Sequence, residues 1–179
     1  MTEQELEMCI SQYGKDIYSF CKYLTGDSQE AEDLYQDTFL KVVELKEKID
    51  YEQNPKSYLL SIALRIWKNR RRKLAWRKRI ADIQPIIDEK DVDTSGPAVL
   101  SLEDKLVRDE IRDAVRITVN RLPVKLKIVV LLFYMEDLSP AQVAEILKIP
   151  PGTVLSRLHQ ARKVLKKDLE DVLDGKSTR

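Results

Sequence analysis

The chain has 179 residues, 43% hydrophobic and 34% charged, with 31 Lys/Arg against 30 Asp/Glu and only 5 Gly and 7 Pro. So few turn-forming residues argue against a sandwich or barrel. No run approaches the roughly 18–20 apolar residues of a membrane span, and one His with two Cys cannot supply a four-ligand Cys/His zinc site.

An all-α fold of two small helical domains is expected. Thr2 with Glu5 reads as a capping box, followed by Leu6, Ile10, Tyr13, Ile17, Phe20, Cys21 and Leu24 at helical spacing. Gly26-Asp27 ends that first helix, and Asp27 with Glu30 caps a second, whose apolar stripe is Leu34, Thr38, Phe39, Val42 and Leu45. Asn54-Pro55 opens a third, with Pro at the first helical position and Leu59, Ile62, Ala63 and Ile66 as its apolar side. Its far end, WKNRRRKLAWRKR, is almost wholly basic. Residues 83–104 hold two Pro, one Gly and six acids with little periodicity, which predicts a linker and a domain boundary. The expected division is a domain over 1–82, a linker over 83–105 and a domain over 106–179. Helical spacing resumes with Leu106, Ile111, Val115, Val119 and Leu122, then come a helix from Pro123, one capped by Ser139 and Gln142, and a last one from about Pro151 to Val172. Nothing alternates with period two, so no sheet is expected.

The near-neutral total hides strong segregation. Residues 1–52 hold 5 Lys/Arg and 13 Asp/Glu, whereas residues 53–80 hold 10 Lys/Arg and no acid. A polyanion such as nucleic acid is the natural partner of such a block. There is no Gly-rich phosphate loop and no G-x-S-x-G, so catalytic residues, metal and cofactor are all expected to be absent. Cys9 and Cys21 read as small apolar residues of a reducing compartment, and the acidic start MTEQELEMCI lacks the apolar core of a signal peptide. A cytoplasmic location without membrane insertion follows as the expectation.

The segment LSPAQVAEILKIPPGTVLSRLHQARKVL has the spacing of a helix-turn-helix, two short helices joined by a tight turn that lay the second across a DNA major groove. Ala144 is the small residue at the closest crossing, and Val143, Ile146, Ile149, Val154 and Leu158 would fill the shared core. Leu155, Ser156, His159, Gln160 and Arg162 fall outside that stripe, and Arg157, Arg162, Lys163, Lys166 and Lys167 supply cations for phosphates.

AEDLYQDTFLKVV (31–43), PKSYLLSIALRIWKNRRRK (55–73) and the helix-turn-helix segment (138–165), in that order, resemble bacterial sigma factors of the extracytoplasmic-function group. The resemblance covers nearly the whole chain. It implies a non-enzymatic initiation factor that directs core RNA polymerase to promoters and aids melting, with an anti-sigma factor as a further partner. It implies that Asp33, Gln36, Asp37 and Lys41 face the coiled coil of the polymerase β′ subunit, with the β flap as a second contact. The −10 element would meet Tyr51, Tyr58, Arg65, Trp67, Lys68, Arg70, Arg71, Arg72 and Lys73. Aromatics there are candidates to stack on unpaired bases. The −35 element would meet Thr153, Leu155, Ser156, Arg157, His159, Gln160, Arg162 and Lys163.

The chain departs from that family's pattern at four places. Arg65 stands where I-A-x-N has Asn, Lys148 where the turn often has Gly, Pro150-Pro151 where a Ser or Thr cap is usual, and Leu155 and Gln160 where cations are frequent. A stand-alone, dimeric helix-turn-helix regulator is the alternative. It would need an apolar dimer face and a palindromic site.

Overall fold

The computed structural model describes residues 2–45, 54–81 and 114–173. Every element among them is helical: α1 (Glu3–Thr25), α2 (Ser28–Leu45), α3 (Pro55–Ala81), α4 (114–121), α5 (Val124–Val130), α6 (Pro140–Leu147) and α7 (Pro151–Leu173). Two compact units divide the chain, Met1–Val92 and Asp93–Arg179. The expected linker, with Leu106, Ile111 and Tyr51, lies outside the described residues.

In the first unit α1, α2 and α3 pack against one another. The capping box of α1 forms as its residue types demand, Glu5 N–H donating to Thr2 Oγ1 at 3.2 Å and Thr2 N–H to Glu5 Oε2 at 2.6 Å. Gly26 ends the helix at φ 78°, the left-handed conformation only glycine adopts cheaply. The core is Cys9, Ile17, Phe20, Cys21 and Leu24 of α1, Leu34, Thr38 and Val42 of α2, and Leu59, Leu60, Ala63 and Trp67 of α3. Ile10, expected on the buried stripe, is exposed. Cys9 and Gly14 take that side instead, and a Cβ on Gly14 would lie 3.0 Å from Tyr35 Oη. Glycine at 14 thus lets α1 and α2 approach where Tyr18, Tyr35 and Phe39 stack edge to face. Burial, with Glu5 adding to it, raises the Cys9 thiol above its ordinary pKa, so it stays a neutral apolar filler.

In the second unit α5 and α6 both pack on α7. Residues Leu126 through Leu132 are buried without a break, the mark of a helix surrounded on all sides. Lys127 sits in that run with its Nζ donating to Asn120 Oδ1 at 2.9 Å. The end of α5 widens into a π-turn over Leu131–Met135, where Glu136 N–H reaches back five residues to the Leu131 carbonyl. Val115 is exposed rather than buried, and Ala114 and Thr118 face inward on α4.

Candidate nucleic-acid interface

Three surfaces carry the expected contacts. The first is the outer face of α2. Asp33 and Gln36 are exposed and Asp37 is half-buried, so the three come together one helical turn apart. Asp37 is not an open carboxylate. Arg70 of α3 forms an ion pair with it at 2.5 Å and also donates to the Asp33 carbonyl at 3.2 Å. Arg70, expected on a DNA phosphate, instead ties α3 to the acidic face of α2. The cause is plain geometry, since the basic helix packs directly on the acidic one. Lys41 pairs with Glu44 within its own helix.

The second surface is α3. Asn54 caps it from a left-handed conformation, φ 48°, its Oδ1 accepting from Ser57 N–H at 3.2 Å. Lys56 reaches Asp16 of α1 at 2.8 Å, which anchors the helix start. The buried stripe Leu59, Leu60, Ala63 continues four residues on at Trp67, which is 6% exposed with the Arg71 guanidinium 5.0 Å from its ring centre. Trp67, expected to stack on an unpaired base, is therefore a core residue covered by a cation. Tyr58 is half-buried, whereas Arg65, Lys68, Arg72 and Lys73 are exposed, with Arg72 donating to Asn69 Oδ1 at 3.0 Å. From Arg71 to Arg77 every side chain is exposed.

The third surface is the helix-turn-helix. Ser139 caps α6 with Gln142 in a second capping box. The chain turns into α7 through Lys148 at φ 53° and ψ 47°, whose N–H is held by the Ala144 and Glu145 carbonyls. A left-handed lysine costs about 1 kcal/mol, which the buried contacts of Val143, Ala144, Val154, Leu158 and Ala161 offset. Pro151 is the first residue of α7 and needs no donor there. Leu155, 55% exposed, lies with Ser156, His159 and Gln160 on the solvent side of α7, and Thr153 and Arg157 are half-buried beside them. Lys163 is exposed.

Arg162 is also exposed, but its Nε donates to Tyr134 Oη at 2.6 Å and its guanidinium lies 5.8 Å from the Tyr134 ring centre. Tyr134 belongs to the π-turn and is 54% exposed. In the sequence it is hidden inside an apolar run that reads as core. Its hydroxyl is the one signal that it reaches the surface. Among the described residues no group of three His, Cys, Asp or Glu could hold a metal ion, and no helix is long and apolar enough to cross a membrane.

Sigma-70 region 2 matches residues 9–77 and sigma-70 region 4 matches residues 112–165. An extracytoplasmic-function RNA polymerase sigma factor of Bacillus subtilis, SigW, is 30% identical over 168 residues, covering 89% of this chain and 86% of the relative. This chain belongs to the extracytoplasmic-function group of the sigma-70 family. The sigma-H factor of Pseudomonas aeruginosa is 26% identical over 174 residues, covering 96% of this chain and 89% of that one. The fold is that of the sigma factor RpoE solved with the anti-sigma factor NepR from Bartonella quintana, at TM-score 0.70 and 21% identity over 92% of this chain and 96% of that chain. CnrH, solved with the cytosolic domain of CnrY, has TM-score 0.62 and 19% identity over 98% of this chain and 92% of that chain. In this sigma factor, α2 and α3 as far as residue 77 fall within region 2, and the helix-turn-helix within region 4.

Proposed function

We propose that this sigma factor docks on core RNA polymerase through α2 and meets promoter DNA at two places, through α3 and through α7. The observation that carries the reading is the exposed face of α7. Ser156 and His159 are one turn apart on an amphipathic helix whose opposite side, Val154, Leu158 and Ala161, is locked into the helix-turn-helix core. A helix so held presents short polar side chains to base edges in a major groove while cations at its flanks meet phosphates. Leu155 offers an apolar contact suited to a thymine methyl. The exposed cations of α3 suit a melted strand, and the open acid–amide pair Asp33 and Gln36 suits a basic helix of the polymerase. Its part in transcription is regulatory, and no residue is assigned a catalytic role.

An anti-sigma factor is proposed as a further partner, supported by a fold neighbour that was solved with one bound. The test of the reading is a pull-down of core polymerase with Asp33→Ala combined with Gln36→Ala. Both side chains are exposed, so the variant should fold as wild type and bind core more weakly. Wild-type binding by the folded double variant would overturn the α2 interface.

A further inference from the structure

Arg162 differs from Arg70 in what holds it. Arg70 is paired with the Asp37 carboxylate, whereas Arg162 donates its Nε to the Tyr134 hydroxyl at 2.6 Å, with its guanidinium 5.8 Å from the ring centre. A phenol is an uncharged partner, so it fixes the guanidinium and leaves the positive charge unneutralised. With Nε engaged, the N–H groups of Nη1 and Nη2 are the ones left to meet a ligand. The tyrosine is held in turn. Its ring stands edge to face with Phe133, the centroids 4.9 Å apart and the planes at 85°. Leu131 and Val130, three and four residues before it, are buried, so an unbroken α-helix would carry Tyr134 along the same face. The π-turn over Leu131–Met135 takes in an extra residue and leaves Tyr134 54% exposed.

The place of this pair selects its partner. Leu155, His159 and Arg162 follow one another at steps of four and three, and all are exposed. They form one flank of α7, with Arg162 about one turn beyond His159. A helix laid in a major groove has phosphates along its flanks. A backbone phosphate offers acceptor oxygens and no donor, and this pair offers donors to match it. Accepting from Arg162 leaves the tyrosine hydroxyl hydrogen to be donated, and polarises it. We propose that Tyr134 and Arg162 form a clamp for one phosphate of the DNA backbone, in which the tyrosine positions the guanidinium and donates its own hydroxyl hydrogen to the same phosphate. The clamp rests on the reading of α7 as a DNA-binding helix and brings to it a residue from outside the helix-turn-helix.

The experiment uses the full chain with core polymerase and a promoter duplex selected with the wild-type protein from a randomised −35 library. Methylphosphonates, which remove a phosphate's charge, are placed one at a time along both strands. Wild type should show a position beside the −35 element where the substitution lowers affinity by a factor of about ten or more. Tyr134→Phe and Arg162→Gln should each shrink the loss at that same position. On unmodified DNA, Tyr134→Phe keeps the ring and the cation, so affinity should fall by a factor of about three to ten, with the salt dependence of log K and the melting temperature as in wild type. Arg162→Gln should lower the salt slope by about 0.9. The double variant should lose less than the product of the two single losses, because both groups hold one phosphate.

Losses that multiply in the double variant, or single variants that report different methylphosphonate positions, would put the two side chains on separate phosphates and overturn the clamp. A lowered melting temperature in Tyr134→Phe with the wild-type methylphosphonate pattern would make the bond a brace of the fold alone and overturn it as well. If Arg162→Gln lowers the salt slope and Tyr134→Phe changes nothing, the clamp is refuted and the reading of α7 stands. If neither variant alters affinity or slope, the reading of this flank of α7 as DNA-facing itself fails.

Discussion

α3 and α7 are both long helices with basic stretches, yet the fold treats their cations differently. On α3, several are bound within the protein: Lys56 to Asp16, Arg70 to Asp37, Arg71 over Trp67 and Arg72 to Asn69. On α7, polar and apolar side chains of modest size occupy the outward face, and Arg162 is steered by Tyr134. A dense block of cations favours any phosphate chain, and steeply so at low salt. A face of Ser, His, Gln and Leu has little to offer a phosphate and much to offer a base edge. The comparison teaches that charge density and an outward face suited to base edges sit on different helices, and that net charge, +1 for the chain, reports neither.

The largest expected effect comes from removing the support of α7. Leu158 is 1% exposed, and Leu158→Ala should cost about 2–5 kcal/mol, read as a lower denaturant midpoint. It should abolish −35 recognition and leave the α3 interaction with single-stranded DNA in place. Loss of both would mean that the two helices do not act separately.

Next in size is the residue proposed to read a base. His159→Ala should relax base choice at one −35 position, costing roughly 1–3 kcal/mol, with thermal stability near wild type because His159 is exposed. A randomised −35 library selected with both proteins checks it. Identical base profiles would leave Ser156 as the remaining candidate on that face.

Smaller again is the tyrosine. Tyr134→Phe removes the hydroxyl that accepts from Arg162 Nε and keeps the ring. Promoter affinity should drop by a factor of about three to ten, the worth of one ordinary, solvent-exposed hydrogen bond, equally for all −35 sequences. A change in base preference would instead make Tyr134 or Arg162 a direct reader. The smallest effect is expected at the turn. Lys148→Gly relieves a left-handed side chain and should raise stability by about 0.5–1 kcal/mol in chemical denaturation. A destabilised variant would show that Lys148 makes a contact worth more than its strain.

Much of this fold was legible because local signals coincide with the global packing. The two capping boxes at Thr2 and Ser139, the proline at the start of α3 and the stripe Val143, Val154 and Leu158 each follow from side-chain chemistry and helical period. Trp67 was legible too, had the stripe from Leu59 through Ala63 been carried one turn further. The basic run around it masks that periodicity. The pairing of Arg70 with Asp37 was not legible, because it joins residues 33 apart in the chain and depends on how α3 lies across α2. The same holds for Arg162 and Tyr134, which are 28 apart and meet through a π-turn that the apolar run from Leu126 to Met135 does not announce.

The central claim is that one chain brings core RNA polymerase to DNA through two separate helices. Footprinting on promoter DNA, with the chain alone, core polymerase alone and the two together, tests it most directly. The account predicts protection of two separate promoter patches only when chain and core are combined, with the upstream patch lost in Leu158→Ala. A strong footprint on a palindromic site from the chain alone, unchanged by core polymerase, would contradict it and make the protein a dimeric regulator.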